Sequence, residues 1–420
     1  MNTTTGSDRH IFPVLLAVLI VFTAQYSLSP VLAPLARQVG LTEMQLGLVL
    51  TVAAVLFAGT SLAWGQALNS WDVRSVLLVG LGLAVLGLAG FAVISQLALT
   101  SQMTPGAALV GMLATRSVLF GAGIGAVVVA AMAYVATNTP EARERTRGIG
   151  QLGAAQGVAV ALGPALAGVL AFAGLLGPVW APPLVVVPVL ILVAVALPSA
   201  AARTSGDGMR KSIGRQSRLR LWDQRLWPFL AVGFLITLSL GPILLILGFL
   251  IQDRLGLDAA GTVRATGAVS FGTGIVLVAV QGLLVRRLRW APVRLLRTGL
   301  PLAVVALLVL VFATALWTIT LSMLLLGLGL GMAIPACIAA PTLLVGPDEQ
   351  GSVVGLINAA NGAALVVGPL AATALYQVRP TLPVLASAAA CVLAWGFVVG
   401  HPGVRRTEHA EAAAEAVSLR

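Results

Sequence analysis

Long apolar stretches separated by short polar segments run along the whole of this 420-residue chain. A helix needs about 20 apolar residues to cross a bilayer, and the pattern predicts twelve such spans. Their predicted bounds are 12–34, 44–66, 75–97, 105–135, 149–173, 179–198, 226–251, 260–283, 296–316, 318–344, 352–376 and 381–400. Charged residues make up only 9% of the chain, against about 25% in soluble domains. The sequence therefore predicts an all-α membrane protein and excludes a soluble enzyme, a secreted domain and a disordered chain.

The basic residues fall mainly in alternate polar segments, which predicts how the chain is inserted. If the N-terminus is cytoplasmic, the inner segments hold 20 Lys and Arg residues, and the outer segments hold three, Arg37, Arg254 and Arg379. Because inner loops of membrane proteins are rich in Lys and Arg, we expect a multi-pass protein of the plasma (cytoplasmic) membrane with both termini cytoplasmic. The net charge of +11 is then a topology signal, and no nucleic-acid partner is expected.

The longest polar interruption divides the predicted spans six and six. We expect an N-terminal six-helix bundle over 1–198, a basic cytoplasmic linker over 199–225, a C-terminal six-helix bundle over 226–402 and a cytoplasmic tail over 403–420. The linker is rich in Ser, Gly and basic residues, a composition typical of flexible connections. Its charges are expected to anchor it on anionic headgroups, with a protein partner as the alternative.

The two halves also resemble each other in sequence. Residues 150–164 (GQLGAAQGVAVALGP) and 355–369 (GLINAANGAALVVGP) share seven of fifteen positions without a gap, each in the fifth span of its half. A second echo links Gly40-Leu41-Thr42, which precedes span 2, with Gly256-Leu257-Asp258, which precedes span 8. We therefore expect two pseudo-symmetric six-helix bundles. Internal repeats of this kind are typical of secondary transporters, whose substrates bind between the halves near the midplane.

Glycine and proline mark the segments that are candidates for movement. Smooth glycine stripes let two membrane helices approach closely, and an interior proline permits a bend. Static packing of small residues is the alternative reading. The candidate gating positions are Gly65, Asn69, Asp72 and Arg74 after span 2, Gly153, Gly157, Gly163, Pro164 and Gly168 in span 5, Gly282 after span 8, and Gly368 and Pro369 in span 11.

These motifs carry a resemblance to a known family. The loop GQALNSWDVRSVLL after span 2 and the Gly-Pro pattern of span 5 are similar to motifs of the major facilitator superfamily, and the second is typical of its drug and metabolite antiporters. The resemblance implies that fold and a loop that locks the cytoplasmic side. The usual acid of the loop is replaced by Asn69 and the usual glycine by Asp72.

Two arginines lie within predicted spans and are candidates for contact with substrate. Arg116 lies near the middle of span 4, where insertion costs about 2.5–3.5 kcal/mol, so it should face water or partner groups. It either binds an anionic substrate group or braces helix 1 near Gln25 and Tyr26, while Arg264 lies in the outer third of span 8. No Asp or Glu lies in the middle of a predicted span. The remaining polar candidates for a central cavity, with hydrogen bonds between helices as the alternative, are Gln151, Gln156, Thr266, Asn358 and Asn361.

The leading functional hypothesis is an exporter of a drug, metabolite or siderophore, working by alternating access and driven by a gradient of protons or another ion. The alternative is an organic-anion carrier or exchanger that uses Arg116, with or without Arg264, as the counter-charge. A membrane-embedded enzyme or a non-transporting scaffold is a distant alternative, because no cluster of catalytic side chains is evident. We expect a monomer in the lipid bilayer that binds a small molecule, with no cofactor and no metal site.

Overall fold

The computed structural model describes residues 5–138, 142–197, 223, 225–288, 290–346, 349–401 and 404. Twelve helices in this part of the chain are long and apolar enough to cross a membrane, as the hydropathy pattern predicts, and no strand is found in it. We number these spans α1 (Ile11–Val39), α2 (Glu43–Ala67), α3 (Val73–Leu99), α4 (Pro105–Asn138), α5 (Arg147–Ala173), α6 (Gly177–Ala196), α7 (Trp227–Leu255), α8 (Ala259–Leu288), α9 (Pro292–Phe312), α10 (Leu316–Thr342), α11 (Val353–Val378) and α12 (Leu382–Gly400).

The predicted linker 199–225, apart from residues 223 and 225, lies outside the described residues. The predicted tail 403–420, apart from residue 404, does so as well. The helices that contain α5 and α11 begin before the apolar spans, at Ala142 and Gln350. Span 9 begins and ends four residues earlier than predicted, because Pro292 takes a position in the first turn of the helix, where its missing N–H is not needed.

Several helices begin at polar residues that satisfy their first backbone N–H groups. Thr42 and Gln45 form a capping box at the start of α2: Thr42 Oγ1 accepts from Gln45 N at 3.2 Å, and Gln45 Oε1 accepts from Thr42 N at 2.9 Å. Asp72 Oδ1 caps α3 by accepting from Ser75 N, and Asp258 Oδ1 caps α8 by accepting from Gly261 N. These caps fix where each polar turn ends and the next apolar span begins.

Three spans depart from a regular α-helix. The first is divided at Leu28 into the helices Thr5–Ser27 and Ser29–Val39, with Pro30 in the first turn of the second helix. The fourth contains a π-helical segment, Leu113–Leu119, and the eighth contains another, Val280–Leu284. π-Helical turns are rare overall, and many of those that occur lie at functional sites. These two segments therefore mark places where the backbone holds side chains in unusual positions.

The chain forms two compact units. One comprises Met1–Asp207 with Ile251–Phe271, and the other comprises Gly208–Leu250 with Gly272–Arg420. In the first unit α3 packs against α4 and α6, and α1 packs against α5 and α6. In the second unit α9 packs against α10 and α12, which repeats the arrangement of α3 with α4 and α6. The third helix of each half therefore packs against the fourth and the sixth helix of that half.

Both cysteines, Cys337 and Cys391, are buried and free. The Cys337 thiol in α10 donates to the Phe229 carbonyl of α7 at 3.4 Å. These thiols pack between helices of the second unit.

Candidate functional site

Arg116 is the most deeply buried charged residue in the described part of the chain, with 1% of its surface exposed. Its Nη2 donates to Gln25 Oε1 of α1 at 2.7 Å, and its guanidinium lies over the Phe120 ring, 4.8 Å from the ring centre. Its Nε is buried and has no hydrogen-bond partner. Within the described residues no carboxylate forms an ion pair with it, and the partners found there, an amide oxygen and an aromatic ring, are neutral.

The π-helical segment of α4 explains how this arginine reaches α1. Arg116 is in the middle of Leu113–Leu119, where the wider turn changes which residues share a helix face. The next residue, Ser117, is also buried and donates through Oγ to the Val49 carbonyl of α2 at 2.6 Å. Two consecutive polar side chains of α4 therefore bond to two different helices. Arg116 was predicted as a site residue because it is a charged residue within a span, whereas Ser117 and Phe120 were not predicted.

Gly163 of α5 lies directly against α1 beside Gln25. A Cβ atom at residue 163 would be 2.6 Å from Tyr26 Cβ and 2.7 Å from Ser27 N, so only glycine permits this contact. Gly153 and Gly157, in the same predicted stripe, have no neighbouring atom within 4 Å of such a Cβ. The close approach of α1 and α5 is therefore concentrated at the Gly163-Pro164 pair.

A second glycine contact joins α5 to the first part of α8, within the first unit. A Cβ on Gly267 would be 2.8 Å from the Pro164 carbonyl oxygen and 2.9 Å from Gly168 Cα. Gly267 was not among the predicted residues, although it lies in a segment of small residues, AVSFGTG following it. Arg264 is exposed nearby and lies over the Phe172 ring at 5.3 Å, a contact separate from those of Arg116.

The polar candidates of the repeat have different environments. Gln156 is half-buried in α5, and Asn358 is exposed on α11. Asn361 has a buried Oδ1 without a hydrogen-bond partner, 3.0 Å from where a Cβ on Gly233 of α7 would lie. Gly368, the partner of Pro369 in α11, lies close to Pro242 of α7, whose Cγ would be 3.1 Å from a Cβ there.

Residues of the loop after α2 and of the start of α3 make structural hydrogen bonds that the sequence did not predict. Asp72 is the N-cap of α3, and Arg74 Nη2 donates to the Ala194 carbonyl at the end of α6 at 2.6 Å. Asn69 is exposed, and its backbone N–H bonds to the Gln66 carbonyl in the turn that ends α2. Gly65 and Gly282 have open space where a side chain would lie.

An ion-pair cluster at the end of α7 was also not predicted. Arg37 of α1 bonds to both carboxylate oxygens of Asp253, to Glu43 Oε1 at 3.1 Å and to Gln252 Oε1 at 3.3 Å. Predicted span 7 ended at 251, whereas α7 continues to Leu255 and brings Asp253 into its last turn. No group of three or more His, Cys, Asp or Glu side chains suited to a metal ion occurs in the ranges that the structure describes.

The twelve spans are those of a multi-pass helical membrane protein. The model of the Major Facilitator Superfamily matches residues 14–369 and 288–419, and the chain belongs to this family. It is thus a multi-pass secondary transporter by family, as the sequence motifs predicted. No curated protein matches the chain significantly.

Solved structures show the same fold at low sequence identity. A D-xylose-proton symporter is 15% identical with a TM-score of 0.72, over 93% of this chain and 98% of that one. The human organic anion transporter MFSD10 (TETRAN) is 20% identical with a TM-score of 0.63, over 94% and 100%. A bacterial homolog of the human lysosomal transporter Spinster is 12% identical with a TM-score of 0.66, over 98% of both chains. All three are transporters.

Proposed function

We propose that this protein exports small organic anions, such as anionic drugs or metabolites, by alternating access driven by an ion gradient. The observation that carries the proposal is the uncompensated charge of Arg116. A buried arginine within the membrane is stable only with partner groups, and here the described partners are neutral: Gln25 and Phe120. An anionic group of the substrate would supply the missing negative charge, and the free Nε would donate to it.

A second candidate is an exporter of neutral or amphipathic compounds. The 2.7 Å hydrogen bond from Arg116 to Gln25 favours it, because this bond braces α4 against α1 without any substrate. The close contact of Gly163 with α1 gives this brace a rigid partner. In this case Arg116 holds the helices in position and does not touch the substrate.

The remaining arrangement follows the sequence. We propose two six-helix bundles over 1–198 and 226–402, joined by a cytoplasmic linker, in a monomer of the plasma membrane with both termini cytoplasmic. The direction of transport rests on the Gly-Pro pattern of α5, whose contacts with α1 and with Gly267 suit a helix that changes neighbours as the protein opens. The coupling ion is proposed to be a proton or another small ion.

The test is substrate flux in proteoliposomes, across a panel of organic anions and neutral analogues, with and without a pH gradient. We expect flux of anions that falls at least tenfold in Arg116→Gln and is partly retained in Arg116→Lys. Arg379→Gln is the matched control, since it removes a charge from an exposed arginine in the turn after α11.

Each outcome separates the candidates. Flux of anions that is undiminished in Arg116→Gln would refute the anion proposal. Equal loss of anionic and neutral flux in that variant would favour the bracing role. No flux of any compound, with a folded protein, would count against transport itself.

A further inference from the structure

The turn between α8 and α9 is rich in positive charge, and three of its arginines form no ion pair within the described residues. Residues 282–300 (GLLVRRLRWAPVRLLRTGL) contain five arginines and no acidic residue. Arg286, Arg287 and Arg294 are exposed, and none of them forms an ion pair with a carboxylate in the described part of the chain. Among the described residues these three charges have no carboxylate partner, which leaves them open to an anionic group from outside the protein.

The turn joins two membrane spans by a short connection. The helix of α8 ends at Leu288 and that of α9 begins at Pro292, so only three residues separate two membrane spans. A connection this short cannot extend far from the membrane surface. Leu283, one turn before Arg287, is 62% exposed, which adds an apolar surface beside the charges.

Trp290 orients one of the arginines. The Arg294 guanidinium lies over the Trp290 ring, 4.3 Å from the ring centre, a geometry that favours a cation–π contact. Tryptophan is enriched at the level of lipid headgroups. We therefore expect this contact to place Arg294 at the level of the lipid phosphates.

The corresponding turn of the first half lacks these features, so the charge is not a general property of the fold. At the turn between α2 and α3 there are one acid, Asp72, and one base, Arg74, which lies in the first turn of α3. Arg74 is engaged by the Ala194 carbonyl, and Asp72 caps a helix. A topology signal alone would be served by either turn, whereas the surplus is confined to the second.

We propose that Arg286, Arg287 and Arg294, together with Trp290 and Leu283, bind the phosphate and the upper acyl chain of an anionic phospholipid such as phosphatidylglycerol. Basic surfaces at the ends of membrane helices attract anionic lipids with about 1 kcal/mol for each Lys or Arg, or about fivefold in affinity. The site is independent of the substrate proposed above, because none of its residues belongs to the Arg116 site.

The experiment measures the thermal unfolding midpoint of the full-length protein in a neutral detergent during titration with phosphatidylglycerol. Phosphatidylcholine and inorganic phosphate are titrated in parallel. We expect a saturable increase with phosphatidylglycerol alone, and an apparent affinity about fivefold weaker for each arginine removed in Arg286→Gln, Arg294→Gln and the double variant Arg286→Gln/Arg287→Gln. Arg379→Gln, which removes an exposed arginine from the turn after α11, should bind lipid like the unmodified protein.

Four results would overturn the proposal. They are unchanged lipid affinity in the double variant, equal stabilisation by phosphatidylcholine, equal stabilisation by inorganic phosphate, and an equal loss of affinity in Arg379→Gln. The single variant Arg294→Gln gives the same decision if the double variant does not fold, because it should lose both the charge and the stacked contact with Trp290.

Discussion

Arg37 and Asp253 occupy equivalent positions in the two sequence repeats and form an ion pair with each other. Each stands three residues before a glycine with positive φ, Gly40 at 81° and Gly256 at 61°, where the left-handed backbone favours glycine. The pair uses both carboxylate oxygens, and Arg37 Nη2 lies 3.0 Å from Asp253 Oδ2. The duplicated segment has thus acquired opposite charges at one position, so that the end of α1 is bound to the end of α7.

This relationship predicts a measurable coupling between two residues that are 216 positions apart in the sequence. We expect Arg37→Gln and Asp253→Asn to lower the free energy of unfolding in a non-additive way, with a coupling energy of about 1 kcal/mol, the upper end for partly exposed pairs. A double-mutant cycle by denaturant unfolding in detergent measures it. The control pair is Arg37→Gln with Asp258→Asn, whose effects should add; additive effects for Arg37 and Asp253 would contradict the prediction.

Replacement of Gln25 by Glu tests the electrostatics of the Arg116 site. The new carboxylate would lie about where Gln25 Oε1 accepts from Arg116 at 2.7 Å, and it would neutralise the arginine from within. We expect Gln25→Glu to be at least as stable as the unmodified protein, because a buried charge gains a counter-charge. Its flux of organic anions should nevertheless fall at least tenfold, because the substrate no longer completes the ion pair.

The control for this change is Gln25→Leu. It removes the acceptor and leaves the charge of Arg116 in place, at a cost of about 1–3 kcal/mol in unfolding free energy. A preference for anions should remain in this variant if Arg116 binds them. Anion flux that is normal in Gln25→Glu would argue that the arginine does not contact the substrate.

The sequence predicted the spans well and the local geometry of the site poorly, for physical reasons. The thickness of the bilayer sets the length of a spanning apolar stretch at about 20 residues, so all twelve spans could be predicted from hydropathy. Arg116 and Gln25 were also named together, since a buried arginine needs a polar neighbour. The π-helical turn at Leu113–Leu119 has no signature in hydropathy, and neither Ser117 nor Phe120 was predicted, because their roles depend on that turn.

The glycines of α5 also show that the sequence does not reveal which residues of different helices are in contact. Spacing places Gly153, Gly157 and Gly163 near one another along α5, but it does not show where another helix lies. The contact of Gly163 with α1 is tight, and the other two have open space. Gly267 was missed because its importance comes from the position of Pro164, which lies more than a hundred residues earlier in the chain.

Gly163→Ala and Gly157→Ala form a matched pair on one helix. At residue 163 the added methyl group would meet Tyr26 Cβ at 2.6 Å and force α1 and α5 apart, which we expect to cost about 1–3 kcal/mol in unfolding free energy. At residue 157 the methyl group meets nothing within 4 Å, and the higher helix propensity of alanine should stabilise by up to about 1 kcal/mol. Thermal unfolding in detergent compares them. Equal midpoints for the two variants would show that the α1–α5 contact is not close.

Gly267→Ala tests whether the contact between α5 and α8 matters for transport as well as for stability. The added Cβ would lie 2.8 Å from the Pro164 carbonyl oxygen and 2.9 Å from Gly168 Cα, and both are backbone atoms that cannot rotate away. We expect a loss of about 1–3 kcal/mol in unfolding free energy and a decrease in substrate flux in proteoliposomes. Gly362→Ala in α11, where a Cβ meets nothing within 4 Å, is the control and should keep both.

The two readouts distinguish a moving contact from a static one. If α5 and α8 separate during transport, Gly267→Ala destabilises only the state in which the two helices touch. Flux per folded molecule then differs from that of the unmodified protein. If the contact is static packing, flux per folded molecule stays at the unmodified level and only stability falls. The unfolding midpoint and the flux normalised to folded protein, measured on the same preparation, decide between the two cases. If Gly267→Ala lowers neither stability nor flux, α5 and α8 are further apart than the 2.8 Å between the added Cβ and the Pro164 carbonyl oxygen implies.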